Sequence, residues 1–224
     1  MIKHVLLDID DTLFPSTEFS SLARKNALNA MISMGLGYDY GELNETLSKL
    51  IQKKGSNYPK HFNELCKQLE IKNPGRFIAA AVAAYHNTKT SIQTYPTTQL
   101  TLLKLKERGY KLYIATNGDS IKQWDKLIRL NIALYFREVF VSEEIGRDKD
   151  IFFYKQVLKK LDVQPKECIM VGDREDTDII PAKKAGIKTV RIISGKYKDI
   201  PTIADFTIHD ILELVELLKN IETQ

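Results

Sequence analysis

Cysteine is scarce in this sequence of 224 residues, which contains only Cys66 and Cys168. Two distant thiols cannot supply the framework of disulfides that stabilises small secreted proteins, and they are typical of a reducing compartment. Cys168 begins the apolar run Cys168-Ile169-Met170-Val171, which predicts a buried side chain in the core. We therefore expect a protein without disulfide bonds.

Long apolar runs are also lacking, and none approaches the roughly 18 residues that a membrane-spanning helix needs. The short apolar stretch at the N-terminus ends in carboxylates from Asp8 onward, which is not the pattern of a secretory signal. We therefore expect a cytoplasmic protein that has no membrane partner.

An excess of charge of one sign is missing as well. The sequence has 33 Lys and Arg against 29 Asp and Glu, a net charge of +4, which does not by itself indicate nucleic-acid binding. It contains no Arg-rich tract and no zinc-finger spacing, so we expect no nucleic-acid partner. The hydrophobic share of 43% and the charged share of 28% are typical of a folded globular chain.

The pattern of predicted elements changes near residue 92. A short apolar strand at 4–7 is followed by helical periodicity alone over 15–91. Beyond that point helices alternate with strands, which we predict at 111–116, 138–141, 168–171, 188–192 and 204–207. Such alternation indicates a parallel sheet covered on both faces. We predict an α/β fold with a doubly wound, Rossmann-like parallel sheet: a core domain (1–14 and 92–224) with an inserted all-helical cap domain (15–91).

Polar residues with related chemistry follow four of the predicted strands. They are Asp8-Ile9-Asp10-Asp11-Thr12, Thr116-Asn117-Gly118, Arg147-Asp148-Lys149 and Gly172-Asp173 with Asp178. In a doubly wound sheet, ligands bind at the carboxyl ends of the strands. Three carboxylates crowded there, from Asp8, Asp10 and Asp173, need a compensating cation, and all-oxygen sites suit Mg²⁺. Because Thr116 and Lys149 add a hydroxyl and an ammonium group, the sequence predicts Mg²⁺-dependent phosphoryl transfer.

These motifs and their order resemble those of the haloacid dehalogenase superfamily of hydrolases. Asp8-x-Asp10-x-Thr12 is similar to its first motif, Thr116 to its second, Lys149 to its third and Gly172-Asp173 with Asp178 to its fourth. The resemblance covers essentially the whole chain, because a helical cap inserted after the first motif is a known arrangement in that superfamily. It implies a phosphatase that acts through an aspartyl-phosphate intermediate.

The resemblance also implies a role for each of these residues. Asp8 would be the nucleophile, and Asp10 would protonate the leaving oxygen and later accept a proton from water. Asp8, Asp173 and the backbone carbonyl of Asp10 would hold Mg²⁺. The phosphoryl group would be bound by Thr116, Asn117 and Lys149, and Asp178 would orient Lys149 or metal-bound water from outside the set of metal ligands.

Within the superfamily, the segments 55–62, 84–89 and 122–124 resemble archaeal proteins of the glyceraldehyde-3-phosphate phosphatase group. The expected substrate is therefore a small phosphorylated metabolite, a triose or sugar phosphate, acted on by a monomer or homodimer. We predict that polar residues of the cap contribute to specificity: Asn57, His61, His86 and Lys89.

Alternative functions remain open at this stage. A phosphomutase shares the first motif, and the fold could also serve as a non-catalytic binding module, although the intact carboxylates argue against the latter. A dehalogenase would need neither Asp10 nor Asp173, and Asp10 also argues against a phosphonate hydrolase that uses Lys89.

The third motif departs from the superfamily pattern. It lacks the usual Lys-Pro-x-Pro segment, so the loop that carries Lys149 should be less rigid. We predict that Lys149 fills this role, with Arg147 as the alternative.

Overall fold

The computed structural model describes residues 1–56 and 58–222. Two compact units make up the chain, one of Met1–Thr17 with Ile92–Gln224 and the other of Glu18–Ser91. The division predicted from the sequence falls three residues earlier, after residue 14. Thr17 belongs to the first unit because its backbone N–H (2.9 Å) and hydroxyl (2.5 Å) donate hydrogen bonds to the Asp11 carboxylate.

The first unit contains a parallel β-sheet. Its strands are β1 (His4–Leu7), β2 (Lys111–Thr116), β3 (Glu138–Val141), β4 (Cys168–Gly172), β5 (Lys188–Ile192) and β6 (Phe206–Ile208). They lie in the order β3-β2-β1-β4-β5-β6, and every neighbouring pair is parallel. The direction in which strands are added reverses at β1 and β4, and a ligand crevice forms outside the carboxyl ends at such a point. The predicted doubly wound sheet is confirmed.

The helices occupy the segments between these strands, and one follows the last strand. In chain order they are α1 (Ser16–Ser33), α2 (Tyr40–Lys54), α3 (His61–Gln68), α4 (Gly75–Lys89), α5 (Thr98–Glu107), α6 (Ser120–Arg129), α7 (Ser142–Ile145), α8 (Ile151–Leu161), α9 (Ile180–Lys184) and α10 (Glu213–Glu222). Aspartates begin two helices near the strand ends. Asp119 accepts from the N–H of Lys122 at the start of α6, and Asp150 accepts from the N–H of Phe153 at the start of α8. Such caps satisfy amide groups that have no partner within the helix.

Apolar side chains fix the sheet against its helices. Leu6 and Met170 belong to one buried cluster with Phe153 and Val157 of α8. Each is at most 2% exposed, and burying such a side chain contributes about 1.5–3 kcal/mol. This packing holds the carboxyl ends of the central strands in place.

The second unit, residues 18–91, has its own apolar core. Leu28, Leu43, Leu65 and Phe77 come from four different helices and form part of one buried cluster. Within its described residues, 18–56 and 58–91, the unit is helical and contains no strand.

The segments of the first unit that lead into and out of the helical insertion are joined to each other. The carbonyl of Leu13 accepts hydrogen bonds from the N–H of Tyr95 at 3.1 Å and from the hydroxyl of Thr98 at 2.9 Å. Leu13 and Thr98 are completely buried. The chain therefore leaves and re-enters the first unit at one fixed place.

One helical segment begins earlier than predicted, and its first turn is not α-helical. The sequence favours a single helix over 177–185, but a π-helical turn at Glu175–Ile179 precedes α9. Pro181 lies in the first turn of α9, where its missing N–H costs no helical hydrogen bond. The wider turn carries Asp178, which is buried.

Both cysteines are free and buried, and burial had been predicted for Cys168. Among the described residues, no helix combines the length and the apolarity that crossing a membrane requires.

Candidate active site

Three buried carboxylates meet at the carboxyl ends of β1 and β4. Asp8 follows β1, and Asp173 and Asp178 follow β4; one carboxylate oxygen from each lies within 4.8 Å of the other two. They are 6%, 2% and 0% exposed, respectively. Burial of several like charges is unfavourable unless positive charge compensates them.

Lys149 supplies part of that compensation. Its ammonium group donates hydrogen bonds of 2.5 Å to Asp8 and to Asp178, and one of 3.1 Å to the carbonyl of Ala115. Burial alone would lower the pKa of Lys149, but the carboxylates of Asp178 and Asp8 raise it above its usual value. Lys149 is therefore a permanent cation between the two carboxylates.

The surroundings of Asp8 and Asp173 disfavour the ionised form of both carboxyl groups. Burial raises the pKa of Asp8 although Lys149 opposes the shift, and burial together with the charge of Asp8 raises the pKa of Asp173. The Oδ1 atom of Asp173 is buried and has no hydrogen-bond partner among the described residues. One ammonium group does not balance the charge of three carboxylates, so a divalent cation would complete the balance. The donors are all oxygen atoms, which suit Mg²⁺.

Close packing at Gly172 determines where Asp178 lies. A Cβ atom at residue 172 would lie 2.5 Å from the carboxyl carbon of Asp178, so only glycine leaves the space. The second oxygen of Asp178 accepts from the N–H of Arg174 at 3.0 Å. Asp178 thus joins the fourth-motif loop to Lys149, one of the two partners that the resemblance implies for it.

The second-motif residues lie on the neighbouring strand. Thr116 ends β2 and is 1% exposed. The side-chain oxygen of Asn117 accepts from the N–H of Lys149 at 2.8 Å and so connects the loops that carry the second and third motifs. The loop that carries Lys149, although it lacks both prolines, is therefore held by Asn117 and by the Asp150 cap.

Arg147 does not lie among the carboxylates. Its guanidinium binds the Asp150 carboxylate at 2.6 Å and lies 4.8 Å from the centre of the Phe152 ring. The Arg147 side chain is 37% exposed, whereas that of Lys149 is 3% exposed. Of the two cations considered from the sequence, Lys149 is the one beside Asp8.

The Asp10 carboxylate stands apart from the other three. It is bound by the ammonium group of Lys126 at 2.7 Å and 2.6 Å, a contact that the sequence analysis did not predict. The cluster of three carboxylates therefore contains Asp178, and not the Asp10 side chain that was expected there. The metal ligand predicted at Asp10 was its backbone carbonyl.

The predicted specificity residues belong to the helical unit. His61 begins α3 and packs edge-on against Tyr58 at 5.4 Å, and burial followed by the charge of Arg24 lowers its pKa. His86 and Lys89 lie in the last turn of α4. Asn57 lies outside the described residues.

A second residue missed from the sequence is Arg191, which is completely buried in β5. Its guanidinium donates to the carbonyls of Asp173 (3.1 Å), Tyr197 (2.5 Å) and Ile200 (2.7 Å), and it pairs with Glu175 at 3.1 Å. The sequence does contain a feature that could have revealed Arg191, namely an arginine inside the apolar strand Thr189-Val190-Arg191-Ile192. A buried charge needs partners, so such an arginine indicates a structural or functional contact. Arg191 ties the fourth motif to the loop after β5.

The chain belongs to the family of haloacid dehalogenase-like hydrolases, whose family model matches residues 5–192. A protein from Methanocaldococcus jannaschii named glyceraldehyde 3-phosphate phosphatase is 45% identical over 226 residues, which cover 99% of each chain. A protein of the same name from Methanopyrus kandleri is 42% identical over 230 residues and again covers 99% of each. The crystal structure of a phosphatase from Thermococcus onnurineus gives a TM-score of 0.69 at 26% identity, over 97% of this chain and 98% of that one. The family predicted from the motifs is confirmed.

Proposed function

We propose that the protein is a Mg²⁺-dependent phosphatase that hydrolyses a small phosphomonoester, with glyceraldehyde 3-phosphate as the first candidate. The observation that carries the proposal is the buried cluster of Asp8, Asp173 and Asp178 around Lys149. The candidate substrate comes from the names of two relatives, which are 45% and 42% identical over nearly their full length.

Asp8 is the proposed nucleophile. One of its carboxylate oxygens attacks the phosphorus atom, and the bond from phosphorus to the ester oxygen breaks as the aspartyl-phosphate forms. Asp10 gives a proton to the departing oxygen. A water molecule then attacks the phosphorus and passes a proton to Asp10, the Asp8–phosphate bond breaks, and inorganic phosphate leaves.

The same loops supply donors for the phosphoryl oxygens. The Thr116 hydroxyl, the Lys149 ammonium group and Asn117 are the groups proposed to bind them. Lys149 is already held between Asp8 and Asp178, so it need not reorganise when negative charge develops. Asp178 acts on the phosphoryl group only through Lys149.

Asp8, Asp173 and the carbonyl of Asp10 are the proposed Mg²⁺ ligands. When bound, the ion would offset the negative charge of the phosphoryl group that the Asp8 carboxylate must approach. The unpartnered Oδ1 of Asp173 supports this assignment.

Residues of the helical unit are proposed to select the substrate. Replacing Asn57, His61, His86 or Lys89 by Ala should change the ranking among sugar phosphates more than the activity on p-nitrophenyl phosphate. The reason is that contacts to the non-reacting part of a substrate supply binding energy that a small artificial ester does not use. An unchanged ranking in all four variants would contradict this part of the proposal.

The direct test is release of inorganic phosphate from a panel of phosphorylated metabolites that includes glyceraldehyde 3-phosphate, with Mg²⁺ and with EDTA. We expect Mg²⁺-dependent release, no release by Asp8→Asn, and wild-type release by the control Asp125→Asn, whose carboxylate binds only the exposed Arg129 in the described structure. Chromatography of the products distinguishes hydrolysis from the isomerisation that a phosphomutase would catalyse. Turnover by Asp8→Asn equal to that of the wild type would exclude the covalent mechanism.

The proposal extends to the surroundings of the enzyme. We place it in the cytoplasm, as a monomer or homodimer, with a small phosphorylated metabolite as its partner. Fractionation of the source cells and light scattering of the purified protein test the location and the oligomeric state, respectively.

A further inference from the structure

The carboxylate of Asp10 is held through both of its oxygens by one cation. The Lys126 ammonium group lies 2.7 Å from Oδ1 and 2.6 Å from Oδ2. The two residues are 116 positions apart, so the fold alone brings them together. The side chains are 25% exposed for Lys126 and 39% for Asp10, and ion pairs at such exposure contribute little to stability. Stability is therefore a weak explanation for the pair.

The start of helix α6, which carries Lys126, is fixed to the second motif. Asp119 caps the helix directly after the second motif, and the Gln123 amide donates to the carbonyl of Asn117. Lys126 lies three residues beyond Gln123, on the same side of the helix. Its ammonium group also lies 5.8 Å from the centre of the Phe14 ring. The cation is thus attached to the segment that carries Thr116 and Asn117.

We infer that Lys126 is a positioning residue for Asp10, an inference that rests on the proposed phosphatase reaction. In that reaction Asp10 gives a proton to the departing oxygen and takes one from water, and both transfers require the carboxyl group within hydrogen-bonding reach. Asp10 is the most exposed of the four site carboxylates and, in the described structure, is joined to neither Lys149 nor the acidic cluster. Lys126 restricts its rotamers and aligns it with the second motif. Lys126 itself neither gives nor receives a proton in this scheme.

Lys126→Met tests the inference because it removes the ammonium group but keeps a helix-forming, unbranched side chain. We expect kcat for glyceraldehyde 3-phosphate to fall by at least about ten-fold while KM stays within about two-fold, the pattern of a lost contribution to the chemical step. Lys126→Arg, which keeps the cation, should restore kcat to within about three-fold of the wild type. Lys122→Met, one turn earlier on α6 and exposed, is the matched control and should leave both constants unchanged.

A double-mutant cycle with Asp10→Asn distinguishes positioning from other roles. If Lys126 acts through Asp10, Lys126→Met in the Asp10→Asn background should change kcat by less than about two-fold. An equal loss in both backgrounds, a loss confined to KM, or a wild-type kcat for Lys126→Met would overturn the inference. Failure of the wild-type protein to release phosphate from any substrate would instead contradict the proposed function, so the two failures are distinguishable.

Discussion

Gly172 and Asp178 approach each other so closely that a Cβ atom at residue 172 would lie 2.5 Å from the Asp178 carboxyl carbon. Asp178 in turn accepts from the Lys149 ammonium group at 2.5 Å. A backbone position in β4 therefore controls the position of a cation in the third motif.

Gly172→Ala should disrupt this contact. The added methyl group must displace Asp178, and overpacking of this kind costs about 1–3 kcal/mol of unfolding free energy. Displacement of Asp178 should also move Lys149 and lower phosphatase activity by about ten-fold or more. Denaturant unfolding and phosphate release measure the two effects. Gly75→Ala is the control, because nothing lies within 4 Å of its Cβ position; a Gly172→Ala protein as stable and active as this control would contradict the prediction.

Lys149→Ala should be far more damaging than Arg147→Ala. The first leaves buried carboxylates without their cation, which costs about 3–5 kcal/mol when one partner of a buried pair is removed. Activity should fall by at least about ten-fold, since a preorganised cation next to the phosphoryl group is lost. Arg147→Ala breaks an exposed pair with Asp150, which contributes about 0–1 kcal/mol. Thermal unfolding and steady-state kinetics of both variants check the order, and the reverse order would assign the role to Arg147.

Mg²⁺ should stabilise the folded protein. A ligand at about 100 times its Kd adds about 2.7 kcal/mol to the unfolding free energy, so the melting temperature should rise as Mg²⁺ is titrated. Asp173→Asn should abolish this rise because it removes a buried carboxylate of the acidic cluster. Asp176→Asn, whose exposed carboxylate pairs with Arg174, should retain it. A Mg²⁺-induced rise of wild-type size in Asp173→Asn would exclude this residue as a ligand.

Arg191→Met should loosen the segment after β5. The substitution leaves the carbonyls of Asp173, Tyr197 and Ile200 without their buried donor, and it leaves Glu175 without its cation. We expect a loss of about 3–5 kcal/mol of unfolding free energy. Hydrogen exchange should accelerate in residues 195–203, and the midpoint of the Mg²⁺ titration should shift to higher concentration.

The control for Arg191 is Arg129→Met, which removes a partly exposed pair with Asp125 on α6. It should change neither the exchange rates of 195–203 nor the response to Mg²⁺. Unchanged exchange in Arg191→Met would mean that this segment is held by other contacts.

The strands were predictable because the sheet is buried on both faces. Mostly apolar interior strands such as Lys111–Thr116 and Lys188–Ile192 have the predicted limits in the structure. Strand β6, at one edge of the sheet, differs from its prediction. It was predicted at 204–207 and lies at Phe206–Ile208, where burial constrains the sequence less. The π-helical turn at Glu175–Ile179 was not predictable, because its register depends on the contact between Gly172 and Asp178.

Some residues of the candidate site could be predicted from the sequence and others could not. Asp8 and Asp173 occur in motifs directly after strands, so the fold class alone brings them together. Lys149 follows β3 only after the short helix α7, and its place was predicted from the resemblance to the third motif. Lys126 and Arg191 have no such motif, since their partners are set by helix orientation and by a loop that folds back over β5. A lysine on a helix is ordinarily a solvated residue, and sequence periodicity does not reveal that Lys126 faces Asp10.

The junction at Leu13, Tyr95 and Thr98 has a consequence for how such enzymes diversify. The segments on either side of the insertion are joined through the buried carbonyl of Leu13. We therefore expect that residues 18–91 can be exchanged for another helical segment without altering the sheet or its acidic cluster. If the helical unit selects the substrate, as proposed, substrate choice and hydrolytic chemistry can change independently. A chimera that carries residues 18–91 of a relative with a different substrate should keep the hydrolytic machinery of this chain and adopt the preference of the donor.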